Sequence, residues 1–164
     1  MKLDVLSKNP PWYAAGLKFS CTQCGNCCSG PPGHVWISND EIAAISRLLQ
    51  ITPEETVDRY CRKIGEQVSL RETRNAQGQY DCIFLQEQPA AAPAGAEEVV
   101  HSKRVCAVYA ARPMQCRTWP FWTGNLASPK IWEMAGERCP GMNRGKKYSL
   151  KQIREIEGAT EWLK

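Results

Sequence analysis

The stretch Cys21-Thr-Gln-Cys24-Gly-Asn-Cys27-Cys28-Ser-Gly30 brings four thiols together within a few residues and decides how the chain is interpreted. Thiolate sulfur is a ligand for zinc and iron, and four thiolates complete a closed zinc site or hold an iron–sulfur cluster. Gly25 permits a tight turn, which lets neighbouring cysteines aim at one point. The stretch therefore predicts a metal centre built on a loop.

The adjacent pair Cys27 and Cys28 raises the question of how many centres there are. In an extended backbone, neighbouring side chains point to opposite sides of the chain. We therefore expect the two thiols to serve separate centres, or one of them to lie just behind the ligands.

Five further cysteines follow the first run. Cys82, Cys106, Cys116 and Cys139 bring the number of candidate ligands to eight, enough for two four-thiolate sites. Alternatively, one centre uses four thiols and the others pack as small apolar residues. Cys61 differs, because it shares the apolar stripe of a predicted helix with Val57 and Ile64, and we expect it to be buried there.

The spacing of the cysteines bears on the metal. Structural zinc sites usually contain two C-x2-C pairs, whereas only the first run here has that spacing. Cys139 precedes Pro140, as the last cysteine of a bacterial ferredoxin run precedes proline. We therefore favour an iron–sulfur cluster slightly over zinc. His34, in a glycine-proline loop, is expected to face solvent.

The cellular compartment decides between metal and disulfides. Residues 1–13 contain no hydrophobic run of the length a secretory signal needs, and no stretch is apolar enough for a membrane helix. We expect a cytoplasmic protein, where a cysteine-dense chain more often binds metal. An oxidised scaffold of four disulfides is the alternative.

Composition and periodicity predict an α+β fold. The chain has 164 residues, 43% of them hydrophobic, which suits one small, loop-rich domain over 1–164 with its core at about 19–141. Capping boxes begin helices after Ser38, Thr52 and Ser149, the last running over about 150–162. Alternation predicts a β-hairpin of strands 68–73 and 79–85. Residues from about 87 to 102, rich in Ala, Pro and Glu, are expected to form a mobile insertion. The metal centre should pack against the hairpin and two or three of the short helices.

Basic and aromatic residues surround Cys116 in the sequence. A thiolate-bound metal centre is anionic, and a buried anion needs hydrogen-bond donors. Arg112 and Arg117 are therefore candidates to donate to the sulfurs. Trp119, Phe121 and Trp122 are candidates to exclude water.

The ordered motifs resemble a known family, the YkgJ-type cysteine-cluster proteins, also called the CxxCxxCC zinc- or iron-chelating domain. The similarity spans Phe19-Ser-Cys-x2-Cys-Gly-x-Cys-Cys, Cys82-Ile-Phe-Leu, the run from Cys106 to Phe121, and Cys139. The resemblance implies one set of metal ligands, namely Cys21, Cys24, Cys27, Cys28, Cys82, Cys106, Cys116 and Cys139. Members are often labelled iron–sulfur proteins or oxidoreductases, and a flagellin lysine methylase is similar over the cluster.

Three classes of function follow. The protein acts in redox or metal handling, or it is an iron–sulfur enzyme of oxidoreductase-like or protein-modifying activity, or it is a zinc-stapled interaction module. The segment 144–154 would give that module a weakly basic face for a protein partner. The net charge of +4 is too small to indicate nucleic acid. The sequence contains no phosphate-binding loop or serine triad, so it does not support kinase or hydrolase chemistry.

Overall fold

The computed structural model describes residues 9–89 and 102–159, and its α+β architecture is the predicted one. Helices and short antiparallel strands alternate along the chain. The helices are α1 (Asn39–Leu49), α2 (Pro53–Tyr60), α3 (Met114–Arg117), α4 (Thr123–Leu126), α5 (Pro129–Arg138) and α6 (Leu150–Gly158). The strands are β1 (Leu17–Phe19), β2 (Ser29–Gly30), β3 (Cys61–Ile64), β4 (Gln67–Leu70), β5 (Glu72–Arg74), β6 (Tyr80–Cys82), β7 (Leu85–Pro89), β8 (Ser102–Cys106) and β9 (Met142–Tyr148).

The described residues group into two compact units. The central unit comprises residues 23–89 and 102–117, and the terminal unit comprises residues 9–22 and 118–159. The single domain over 1–164 that the length suggests stays a prediction.

Capping explains where the longer helices of the central unit begin. Ser38 and Glu41 form the predicted box at α1, and Thr52 and Glu55 form the one at α2, with Pro53 at its first position. In each box the hydroxyl accepts from a backbone N–H and the carboxylate accepts from the cap N–H, so otherwise unpaired donors are satisfied. Both predicted helix starts are confirmed.

Three small sheets complete the central unit, in the orders β2-β6-β5, β3-β4 and β7-β8. The predicted turn between β5 and β6 is confirmed, because Gly78 N donates to Asn75 O at 3.0 Å. The predicted strand 68–73 is wrong as one piece. Its first half pairs with β3, and its second half pairs with β6.

A buried apolar cluster holds the central unit together. Its fully buried members come from α1, the β3–β4 hairpin and the segments beside the strands: Ile37, Ile42, Ile45, Cys61, Leu70, Phe84 and Val108. The burial of Cys61, at 2% exposure, is confirmed, but its predicted place on the helix is wrong. The helix ends at Tyr60, Cys61 begins β3, and Val57 is 40% exposed.

The terminal unit has its own core. β1 pairs with β9, and α4, α5 and α6 surround an aromatic-rich cluster. Its buried members are Phe19, Phe121, Leu126, Trp132, Met142 and Ile153. Phe121 stacks on Trp132 with ring centres 5.8 Å apart.

Two predicted boundaries differ from the structure. The insertion was expected over 87–102, but residues 87–89 belong to β7 and Ser102 begins β8, and these two strands pair. The remainder of that segment lies outside the described residues. The C-terminal helix begins at Leu150 as predicted and ends at Gly158. None of the helices described is long and apolar enough to cross a bilayer.

Replacing Ile45, which is fully buried in the central core, with alanine should lower the free energy of unfolding by about 2–5 kcal/mol, since the deletion leaves a cavity. Leu48→Ala on the same helix is the control, because Leu48 is 44% exposed. Urea denaturation of both variants measures the difference. Equal losses would contradict the assignment of α1's buried face.

Candidate metal centre

A tight turn presents the first central-unit cysteines. Gly25 adopts a left-handed conformation (φ +73°) and caps a 3₁₀ turn over Asn26–Cys28. Cys28 N donates to Gly25 O at 3.0 Å, which closes the turn. A Cβ atom at position 25 would lie 2.9 Å from Leu85 Cδ1 and 3.1 Å from Arg104 Cβ. Both the backbone angle and the close packing therefore require glycine here.

The geometry of this turn corrects one expectation. Cys27 and Cys28 were expected to point to opposite sides, but their sulfurs lie 3.9 Å apart. The expectation assumed an extended backbone, whereas the chain turns as a 3₁₀ helix at these residues. The two thiols therefore belong to one neighbourhood.

Strands β6 and β8 supply the next two cysteines. Cys82 ends β6, which pairs with β2 directly after the cysteine turn. Cys106 ends β8 and lies opposite Leu85. Arg104, on the same strand, donates to Asn26 Oδ1 at 2.8 Å. Backbone pairing and this side-chain bond thus tie both strands to the turn.

Helix α3 supplies Cys116, and two polar side chains fix its first turn. Met114 N donates to Glu41 Oε1 at 2.6 Å, so the carboxylate that caps α1 also holds the start of α3. The Gln115 amide accepts from Trp36 N at 2.9 Å and donates to His34 O at 2.9 Å. Sequence reasoning missed both roles. The capping box identified Glu41, but no local pattern signals a contact between residues so far apart in the chain.

The surroundings of these thiols shift their pKa values. The hydrogen bond with Cys28 lowers the pKa of Cys27 to about 7, and the same bond raises the pKa of Cys28. Burial raises the pKa of Cys82 to about 11 and that of Cys116 above its ordinary value. Neighbouring thiolate charges add to both shifts, including the charge of Cys106. The charges of Cys27 and Cys106 therefore act on both Cys82 and Cys116, and the charges of Cys82 and Cys116 act on Cys28.

Of the two predicted cationic donors, Arg112 is the one whose charge acts on the thiols. After the bond with Cys28 and a backbone hydrogen bond, the Arg112 charge is a further influence that lowers the pKa of Cys27. The guanidinium is held in place, since its carbon lies 3.7 Å from the centre of the Tyr109 ring and its Nε donates to Tyr109 O at 3.1 Å. Arg117 is exposed, and its role stays a prediction.

The remaining predicted ligands have different settings. Cys24 is half-buried beside the turn in the central unit. Cys21 and Cys139 belong to the terminal unit, where Cys21 is exposed and Cys139 caps the end of α5. The indole N–H of Trp119 donates to the Cys139 sulfur at 3.4 Å. Whether these three join the centre stays a prediction.

The donor set fits zinc or iron in its chemistry. Soft thiolates are the ligands that zinc and iron–sulfur clusters select. All nine cysteines lie in described residues, and none is in a disulfide. Within residues 9–89 and 102–159, however, no three His, Cys, Asp or Glu side chains are already arranged to hold a metal ion.

Gly25→Ala should destabilise the cysteine turn by roughly 1–2 kcal/mol, since an L-residue is strained in the left-handed region. We expect a lower melting temperature and weaker zinc binding in competition with a chromophoric chelator. Gly124→Ala is the control, because a Cβ there has no atom within 4 Å and the backbone is not left-handed. Unchanged zinc affinity in Gly25→Ala would mean that the conformation of the turn does not contribute to metal binding.

A comparison with protein-family models assigns the chain to a family. The model described as "CxxCxxCC: Putative zinc- or iron-chelating domain" matches residues 20–140, about three-quarters of the chain. No solved structure matches the chain significantly. The matched range includes Cys139 and the central-unit thiols described above, namely Cys27, Cys28, Cys82, Cys106 and Cys116. The chain belongs to the CxxCxxCC family of zinc- or iron-chelating domains.

Proposed function

We propose that the central-unit thiols hold an iron–sulfur cluster, in preference to zinc, and that the protein acts in redox chemistry or metal handling. One observation supports this most. The sulfurs of Cys27 and Cys28 lie 3.9 Å apart, and the charges of neighbouring thiols from the turn, two strands and a helix help to raise the pKa values of Cys28, Cys82 and Cys116. If these thiols ionised they would repel one another, so a bound cation would be needed to hold them together as thiolates.

The spacing of the cysteines supports a cluster over a single zinc ion. A structural zinc and an iron–sulfur cluster each take four thiolates, but only the first cysteine run has the C-x2-C spacing that structural zinc sites usually show twice. We propose Cys21, Cys24 and Cys139 as the other members of the ligand set, together with Cys27, Cys28, Cys82, Cys106 and Cys116. Arg112 would balance the negative charge of the bound thiolates.

The exposure of the turn supports redox or handling roles over a buried structural staple. Cys27 is exposed, whereas Cys28, Cys82 and Cys116 are half-buried. Each unit also has its own apolar core. A bound cluster would supply one-electron chemistry, and an exposed thiol leaves one ligand open to exchange with a partner.

Protein purified without oxygen should be brown and contain iron with acid-labile sulfide. Cys82→Ser and Cys116→Ser should each lose most of the iron, since each removes a thiolate from the neighbourhood. Cys61→Ala is the matched control. Cys61 is buried in the apolar core, so its substitution should leave the iron content unchanged. Metal and sulfide analysis with the visible spectrum measures all four proteins.

Two results would count against this assignment. A colourless wild type with stoichiometric zinc would support a zinc-stapled module instead. Equal metal loss in Cys61→Ala and Cys82→Ser would mean that the variants act through stability.

Metal affinity should rise steeply with pH. Cys28, Cys82 and Cys116, whose pKa values are all raised (that of Cys82 to about 11), carry protons at pH 7 that a metal must displace. Binding strengthens by about tenfold per pH unit for each proton displaced, so these three thiols give on the order of 1000-fold between pH 6 and pH 7. Zinc competition titrations across this range, with proton release measured in weak buffer, test the slope. Affinity independent of pH would contradict thiol ligation by these residues.

A further inference from the structure

An ion pair in the central unit holds the loop that follows the cysteine turn. Arg62 Nη2 donates to Glu72 Oε2 at 3.1 Å and to Gly33 O at 2.6 Å. Gly33 N in turn donates to the Glu72 carboxylate, at 3.1 Å from Oε1 and 3.3 Å from Oε2. Both backbone polar groups of Gly33 are therefore bound by this one pair of side chains.

This pair is less exposed than the other ion pairs of the described residues. The Arg62 and Glu72 side chains are 38% and 15% exposed, against 54% and 45% for Arg59 and Glu55. Arg62 Nε is also buried without a hydrogen-bond partner among the described residues. A buried donor without a partner costs free energy. The arginine therefore keeps this position although its Nε lowers the stability of the fold. Exposed helix pairs have no such positional requirement.

The position of the pair relates it to the thiols. Gly33 lies shortly after Cys28, and the strand between them, β2, has only two residues. So short a strand offers few backbone bonds to fix the turn against β6. Glu72 lies directly opposite Cys82 in the β5–β6 pairing. The same carboxylate thus holds Gly33 and belongs to the sheet that carries Cys82.

We infer that Arg62 and Glu72 are positioning residues for the metal centre, which fix Gly33 and thereby set Cys27 and Cys28 against Cys82. The inference rests on the proposed function for its metal-binding consequence. Its structural content, the anchoring of the turn, is independent of any metal.

The test uses the full chain with Arg62→Met and Glu72→Met, each of which keeps an aliphatic stem and removes the polar contacts. Arg62→Lys is the conservative variant. Arg59→Met and Glu155→Met, which break the exposed pairs on α2 and α6, are the matched controls. Two quantities are measured anaerobically: amide hydrogen exchange of the metal-free protein, and affinity for Co²⁺ from its thiolate charge-transfer absorption.

We expect exchange in residues 25–33 to be about tenfold faster in the Met variants, with α1 and β3–β4 unchanged. Co²⁺ affinity should fall about 10–100-fold, as for other residues that orient ligands. Arg62→Lys should recover part of both losses, and the controls should match the wild type.

Unchanged exchange in residues 25–33 would overturn the inference, and so would uniformly faster exchange across the central unit. Local acceleration without loss of Co²⁺ affinity would also overturn it, because the turn would then not matter for ligation. If the wild type binds no Co²⁺, the proposed function fails. The exchange pattern then tests only whether Arg62 and Glu72 anchor the turn. Faster exchange confined to residues 25–33 supports the anchoring, and the absence of faster exchange there contradicts it.

Discussion

The cost of ionising neighbouring thiols is the constraint on which the central unit depends. Burial and neighbouring negative charge both oppose ionisation, and they raise the pKa of Cys82 and Cys116. These thiols therefore keep their protons unless a cation balances the charge of the thiolates. A bound metal would supply that charge, which agrees with the family to which the chain belongs.

The scaffold meets this constraint with short elements, each held by its own polar contact. The 3₁₀ turn is joined to β8 through Arg104 and Asn26, and α3 is joined to α1 through Glu41. None of these elements is long enough to be stable by itself. Individual side-chain hydrogen bonds therefore do the positioning that long helices and wide sheets do in larger folds. The apolar cluster around Ile45 supplies the stability beneath them.

The sequence predicted features whose signals are local. Capping boxes located the starts of α1, α2 and α6, because the side chain and its backbone partners lie within one helical turn. The β5–β6 turn was found because Asn75 and Gly78 have strong local preferences. The spacing of the cysteines identified the family for the same reason.

Features that depend on distant partners could not be predicted. Cys61 fits a helical stripe in the sequence, yet pairing of β3 with β4 ends the helix before it. The β7–β8 hairpin was missed because its strands are separated by a long segment of low complexity. The relation of Cys27 to Cys28 depends on a 3₁₀ turn that spacing alone does not reveal.

X-ray absorption at the metal edge of anaerobically purified protein tests the central claim most directly, because it counts the atoms bound to the metal. The account predicts a first shell of about four sulfurs at about 2.3 Å. It also predicts fewer sulfurs in Cys82→Ser and an unchanged shell in Cys61→Ala. A shell of oxygen or nitrogen, or a spectrum that Cys82→Ser leaves unaltered, would contradict it.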